Sequence, residues 1–556
     1  MQRHEDSAEL IPSNLLTVVI SPAVPTLMNI WISLSKALSL WPNSDAIVDG
    51  DKSFTYRQFG ERVGALSSWL EKAGIKRGDV VAIAAPNCHQ YMEIYYACGI
   101  RGIVLTPLNF RLSHAELVAI LQNAEAKLIF MHQDFVECAE SLAKGCPQLK
   151  QFVWIDEADV LQEPETRVNH IYEDCIAGEY GAAPQPVDLQ ADELAHLYYT
   201  SGTTGQPKGV MLTQGNVSFN ALGAIAELVF RETDTWLHAA PMFHLADAWS
   251  VFAITWVGGK HVFQPYFRAA NALAAVEKHK VTMSVLVPTM LNAMLNEPTV
   301  GEYDYASLRV IITGGSPIAP ETVKRVSSIF GCQYIQLYGM TETSPWLTIG
   351  APLKCHDNLS EEDELQLRSR TGRPYIGAEV KVVRGNGEEV EKNNLEVGEI
   401  IARGPTITKG YWKNPEATAQ TIRDGWIHTG DLAVIDKDGF INIVDRAKDM
   451  IITGGENVYS TEVEYALMEH PAVAECAVFG VPDERWGEVV HAVVVLRSAQ
   501  TAEETDLIDF VKGRLAGYKA PRQVSIVKEL PKTGSGKIYK KGLREEFWKE
   551  RERQVN

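Results

Sequence analysis

The chain has 556 residues, 46% of them apolar, and a formal charge of −19. That length exceeds one compact core and predicts two to four domains or subdomains. The acidic balance leaves no excess of Lys and Arg to displace counterions, which excludes generic nucleic-acid binding, while a local cluster can still hold a polyanionic small molecule. The stretch from Leu10 to Trp31 is fairly apolar, but Pro12, Pro22 and Pro25 break it and acidic Glu5 and Asp6 precede it, which argues against a signal peptide. With no proline-free apolar run long enough elsewhere, no transmembrane segment is expected, though peripheral membrane contact stays open. Eight scattered cysteines without a CxxC pair point away from disulfides and zinc, and toward a cytoplasmic protein.

From Phe54 to about Phe130 helix and strand alternate. "YRQFGERVGALSSWLEKAG" sets Phe59, Val63, Leu66, Trp69 and Leu70 on one helical face, closed by Gly74. "DVVAIAA" reads as a buried strand, "NCHQYMEIYYACGIRG" as a helix and "IVLTPLN" as a strand. This βαβ rhythm predicts a mostly parallel sheet under helices. It returns between His196 and Gly339, with strands at "HLYYTS", "VTMSVLVP", "LRVIITGG" and "CQYIQLYG". Inside it lies "TSGTTGQPKG". Gly202, Gly205 and Gly209 let backbone N–H groups converge on an anion. Thr200, Ser201, Thr203 and Thr204 add hydroxyls, and Lys208 adds a mobile charge. The spacing is not that of a Walker loop; a plain surface turn is the alternative. From about Thr371 the texture changes, and "AEVKVVRGNGEEVEKNNLEVGEIIARG" predicts antiparallel hairpins. After Asp445 a smaller α+β segment carries strands at "AECAVFGVP" and "EVVHAVVVLR". The expected division is 1–445 and 446–556.

"YTSGTTGQPKGV" resembles the signature of adenylate-forming enzymes, the superfamily of acyl-CoA synthetases, luciferases and peptide-synthetase adenylation domains. "PMFH", "GGSPI", "YGMTET", "GYWKNPEAT", "GWIHTGD", "DRAKDMIITGGENVYSTEVE" and "PKTGSGK" resemble further family motifs, in the family's order. The resemblance implies an α/β plus α+β fold: a large N-terminal domain of helix-covered, mostly parallel sheets with a β-rich subdomain, and a small mobile C-terminal α+β lid. It implies ATP, coenzyme A and magnesium, a small-molecule carboxylic acid as partner, and a monomer or homodimer. By resemblance the 200–209 loop cradles the terminal phosphates, Thr341 holds a phosphate oxygen, and Glu342 ligates magnesium. Gly315 and Ser316, with Tyr338 and Gly339 opposite, form the adenine slot. Asp431 and Arg446 take the ribose or phosphate. Lys537 bridges carboxylate and α-phosphate, His244 closes the acyl pocket, and Lys448 is the hinge. Gly454, Gly455, Trp486 and Lys519 fall on the coenzyme A side, although Ala520 stands where some relatives carry Arg.

"LSEEDELQLRSRTGRP" and "PMFHLADAW" resemble the medium- and long-chain fatty-acyl-CoA synthetase branch, and Phe219, Leu222, Trp249 and Trp346 are expected near the acyl pocket. An aryl-CoA ligase of coumarate or benzoate type stays open, as does an enzyme that loads a carrier-protein thiol. A non-catalytic binder is disfavoured by the joint presence of Lys208, Glu342, Asp431 and Lys537. A luciferase-like oxygenase would announce itself by light or CO₂.

Overall fold

Gln58 and Thr55 bond each other's backbone and side chain in a capping box, which starts a helix running from Tyr56 to Lys72. Phe59, Val63, Leu66 and Leu70 are fully buried on its inner face, and Gly74 follows its end with φ +82°. The computed structural model describes residues 28–155, 168–179, 181, 183–201, 207–316, 318, 320–497, 500–533 and 537–548.

The βαβ rhythm builds two sheets, in keeping with the plural sheets that the resemblance implied. The first has seven strands in the order Val168–Ile171, Gln151–Ile155, Leu128–His132, Val80–Ala84, Val104–Pro107, Leu194–Ser201 and Pro207–Thr213. Its pairings are parallel except for the last, an antiparallel hairpin that places Thr200 opposite Lys208. The second has nine strands, with Thr235–His238, Met283–Leu286, Val310–Gly314 and Gln333–Gly339 as its parallel centre. The central strands of both sheets are buried on both faces, as helix-covered parallel strands should be. One continuous apolar core joins the helices between the sheets.

The predicted change of texture is real. Glu379–Val383, Gly398–Arg403, Trp426–Ile435 and Ile441–Arg446 pair antiparallel in a five-stranded sheet. Between Arg446 and Ile451 the chain passes to a smaller sheet, in which Val473–Asp483 and Gly487–Leu496 form a long antiparallel pair covered by the helices Ser460–Met468 and Lys540–Trp548. This smaller α+β unit has its own core. Among the described residues no helix is long and apolar enough to cross a membrane. All eight cysteines are free, and only Cys355 is exposed.

Candidate active site

The hairpin Leu194–Ser201 and Pro207–Thr213 ends at the predicted phosphate loop, whose Gly202, Thr203, Thr204 and Gly205 lie outside the described residues. Ser201 is placed only as the end of a strand, paired with Pro207. Lys208 projects its Nζ over the Tyr411 ring at 5.2 Å. The Tyr411 hydroxyl in turn donates to Glu342 Oε1 at 2.9 Å. Glu342 follows Thr341 in the short turn Thr341–Thr343 and is 6% exposed. Burial pushes its carboxyl up, against the pull of Tyr411 and Lys208. Among the described residues no three His, Cys, Asp or Glu side chains cluster to hold a metal. A cation here would therefore rest on one carboxylate plus oxygens brought by a ligand, and that is the coordination magnesium favours. Tyr411 was legible only as part of "GYW"; nothing in the sequence assigned it to Glu342.

A second group forms where the sheets meet. The Tyr338 hydroxyl donates to Asp431 Oδ2 at 2.7 Å, and Arg446 Nε lies 3.2 Å from Asp431 Oδ1. Asp431 and Arg446 face each other across paired strands, so the register itself sets this contact. The Asp431 side chain is 10% exposed and that of Arg446 is 53% exposed, so the pair reaches from the interior toward an open side.

Gly315 follows the strand Val310–Gly314 with φ +85°, where a side chain would be strained. A Cβ there would lie 2.9 Å from Lys537 Cε and 3.3 Å from its Nζ. The lysine from the far end of the chain thus lies on the Gly315 backbone. Burial and Arg446 lower its pKa to about 8, while Asp431 opposes the fall. Ser316 offers its carbonyl to Gln336 Nε2 at 3.1 Å. Gly339 leaves no room for a side chain either: a Cβ would sit 1.7 Å from the Pro345 carbonyl.

His244 precedes the helix Leu245–Val257 at its N-cap, and its Nε2 is buried without a hydrogen-bond partner among the described residues. Burial, then Lys537 and Arg111, lower its pKa to about 3, so the ring is neutral and feels the Lys537 charge. Arg111, which sequence reasoning missed, stands 5.8 Å from the Phe243 ring. Trp249 and Trp346 meet edge to face at 5.8 Å, and Trp346 presses its ring on Gly314. Phe219 does not join them, because its ring packs against Gly377.

The residues expected on the coenzyme A side make contacts of their own. Gly454 donates to the Trp486 carbonyl at 2.8 Å, and a Cβ on it would meet the Trp486 ring at 2.7 Å. Gly455 has φ +88° with open space around it. Trp486 is 39% exposed, and Lys519 is bound by Glu462 at 2.8 Å. Lys448 lies in the crossing between the last two sheets, with its carbonyl accepting from Arg544.

The assembled groups offer charge to a polyphosphate, a carboxylate to a divalent cation and a carboxylate to vicinal hydroxyls. The profile of the AMP-binding enzyme family matches residues 34–412, and that of the AMP-binding enzyme C-terminal domain matches residues 462–537. The chain is 38% identical over 510 residues to a feruloyl-CoA synthase of Amycolatopsis sp, covering 91% of this chain and 96% of that one. It is 35% identical to a medium/long-chain fatty acid–CoA ligase of Mycobacterium tuberculosis, over 92% and 89% of the two chains. Its fold matches that of the o-succinylbenzoate coenzyme A synthetase of Bacillus subtilis in complex with ATP and magnesium, with a TM-score of 0.77 at 29% identity over 93% and 98% of the chains.

Proposed function

We propose, for a chain that belongs to the AMP-binding enzyme family, that Lys537 resting on Gly315 is the adenylate-forming arrangement of its site. The chain is an adenylate-forming acid–thiol ligase that uses ATP. In the first half-reaction a carboxylate oxygen attacks the α-phosphorus, and the bond to the bridging oxygen of pyrophosphate breaks. In the second, the thiol sulfur of coenzyme A attacks the acyl carbonyl and AMP leaves. The Lys537 ammonium neutralises both the incoming carboxylate and the α-phosphate, where negative charge crowds in the transition state. Asp431 accepts from the ribose hydroxyls, and Tyr338 and Arg446 hold that carboxylate in place. Lys208 draws the terminal phosphates, and Glu342, with Thr341 beside it, is the residue that would hold magnesium. Magnesium, when bound, supplies further compensation for the phosphate charge. His244, neutral and apolar in its setting, closes the acyl side against water.

For the acid, the reading is a medium- or long-chain linear fatty acid. It is supported by the buried apolar helix Leu245–Val257 that begins at His244, and by the fatty-acid relative. An aromatic acid is the second reading, supported by the feruloyl-CoA relative and by the edge-to-face Trp249–Trp346 pair beside Gly314. The test is pyrophosphate release with linear acids from butanoate to palmitate, and with benzoate, coumarate and ferulate, each with and without coenzyme A. Burial of each methylene at about 0.8 kcal/mol predicts roughly a fourfold rise in kcat/KM per carbon, up to a plateau. A tenfold preference for one aromatic acid over every linear acid, on the order of 1.4 kcal/mol, selects the second reading. Silence across the panel overturns both.

A further inference from the structure

Three residues beyond Lys537 begins the helix Lys540–Trp548, and its first residue is mostly buried. Lys540 Nζ lies 2.6 Å from Glu464 Oε1 and donates to Ser460 Oγ at 2.9 Å. Ser460 Oγ donates onward to Asp445 Oδ1 at 3.1 Å, and the Ser460 backbone N–H donates to Asp445 Oδ2 at 2.5 Å. Asp445 is 3% exposed and Ser460 is fully buried. The partners come from two different units. Asp445 sits on the strand Ile441–Arg446 of the five-stranded sheet, one residue from the Arg446 that meets Asp431. Ser460, Glu464 and Lys540 belong to the smaller unit. One turn along the same helix, Arg544 binds Asp449 at 3.0 Å and the Lys448 carbonyl at 3.3 Å.

We propose that Lys540, with Ser460 and Asp445, is a positioning clasp that fixes the small unit on the Asp431 strand and so delivers Lys537 to Gly315. The proposal rests on the adenylate-forming reading of the site. Two carboxylates, buried Asp445 and half-buried Glu464, face one ammonium. With the cation gone they lack a counter-charge in a place water reaches poorly, and the cheapest relief is to part the two units. Lys540 touches no reacting atom, so its loss acts on where Lys537 stands and not on the chemistry.

The variant is Lys540→Met, with Lys540→Arg as the conservative rescue and Asp445→Asn as a milder second break. With the best acid of the panel, Lys540→Met should lower acid-dependent ATP–pyrophosphate exchange about tenfold or more, as a shifted population of poses would. Thioester formation from supplied acyl-adenylate should keep its parent rate, and Lys540→Arg should recover exchange. An acid-free measurement separates this from the functional reading: spin labels at exposed Cys355 and at Lys512→Cys report the distance between the units. The parent should give one distance, and Lys540→Met and Asp445→Asn a second population. Equal loss in both half-reactions, or an unchanged single distance in both variants, overturns the clasp.

Discussion

Two glycine-rich turns of the small unit meet opposite fates. The turn that leads to Lys537 carries its lysine onto Gly315, beside Asp431 and Arg446. Gly454 packs against the ring of its own Trp486, and both turn and ring stay at the surface. What separates them is position: the clasp at Asp445 turns one toward the nucleotide side and leaves the other outside. On the proposed reading, the groups assigned to adenylation meet in this structure, and those assigned to thiol capture do not join them.

That contrast can be broken most severely at Gly315. A valine there would be strained by the positive φ and would collide with Lys537, so Gly315→Val should lower acid-dependent pyrophosphate exchange by roughly 10² to 10³. Exchange within a few-fold of the parent would show that the contact is incidental. Lys448→Pro attacks the crossing between the units instead. Proline fixes one backbone angle and restricts the residue before it, so single-turnover pyrophosphate release should survive while transfer to coenzyme A falls by roughly 10². An intact overall rate would remove Lys448 from the crossing's motion. Glu342→Ala should raise the magnesium concentration for half-maximal adenylation by about tenfold. Superimposable magnesium titrations of variant and parent would make Glu342 structural.

The smallest effect sharpens the contrast by pH. Lys537 is depressed to about 8, so it is charged below that pH and loses its charge above it. Adenylation measured as kcat/KM should therefore decline above pH 8, to about one-tenth one unit higher, whereas thioester formation should not follow this limb. His244, held near 3, should add no inflection between pH 5 and 7. A declining limb shared by both half-reactions would deny Lys537 its selective role.

Much of this was legible in the sequence because strand rhythm and glycine spacing are local signals. The helix Tyr56–Lys72 and the strands Val80–Ala84, Val104–Pro107, Leu194–Ser201, Met283–Leu286, Val310–Gly314 and Gln333–Gly339 fall where the sequence pattern put them, whereas Leu128–His132, Gln151–Ile155, Thr235–His238 and Lys260–Phe263 were not singled out. Which parallel strands belong to which sheet was not legible, since pairing partners are set by packing between distant segments. Within the site, Asp431 and Arg446 were readable as motif residues, but their mutual contact follows from strand register. Tyr411 on Glu342, Arg111 near His244 and Lys540 on Ser460 are long-range meetings of ordinary residue types, and no local pattern marks them. Phe219 shows the converse: an apolar residue near the right segment can face another subdomain.

The most direct test of the adenylate-forming arrangement is to measure both half-reactions of Lys537→Ala on one preparation. Acid-dependent ATP–pyrophosphate exchange reads the first, and transfer from supplied acyl-adenylate to coenzyme A reads the second. The account predicts that exchange is lost, by roughly 10² or more, while transfer proceeds at the parent rate. Exchange that persists, or transfer that falls in step with it, would contradict the account.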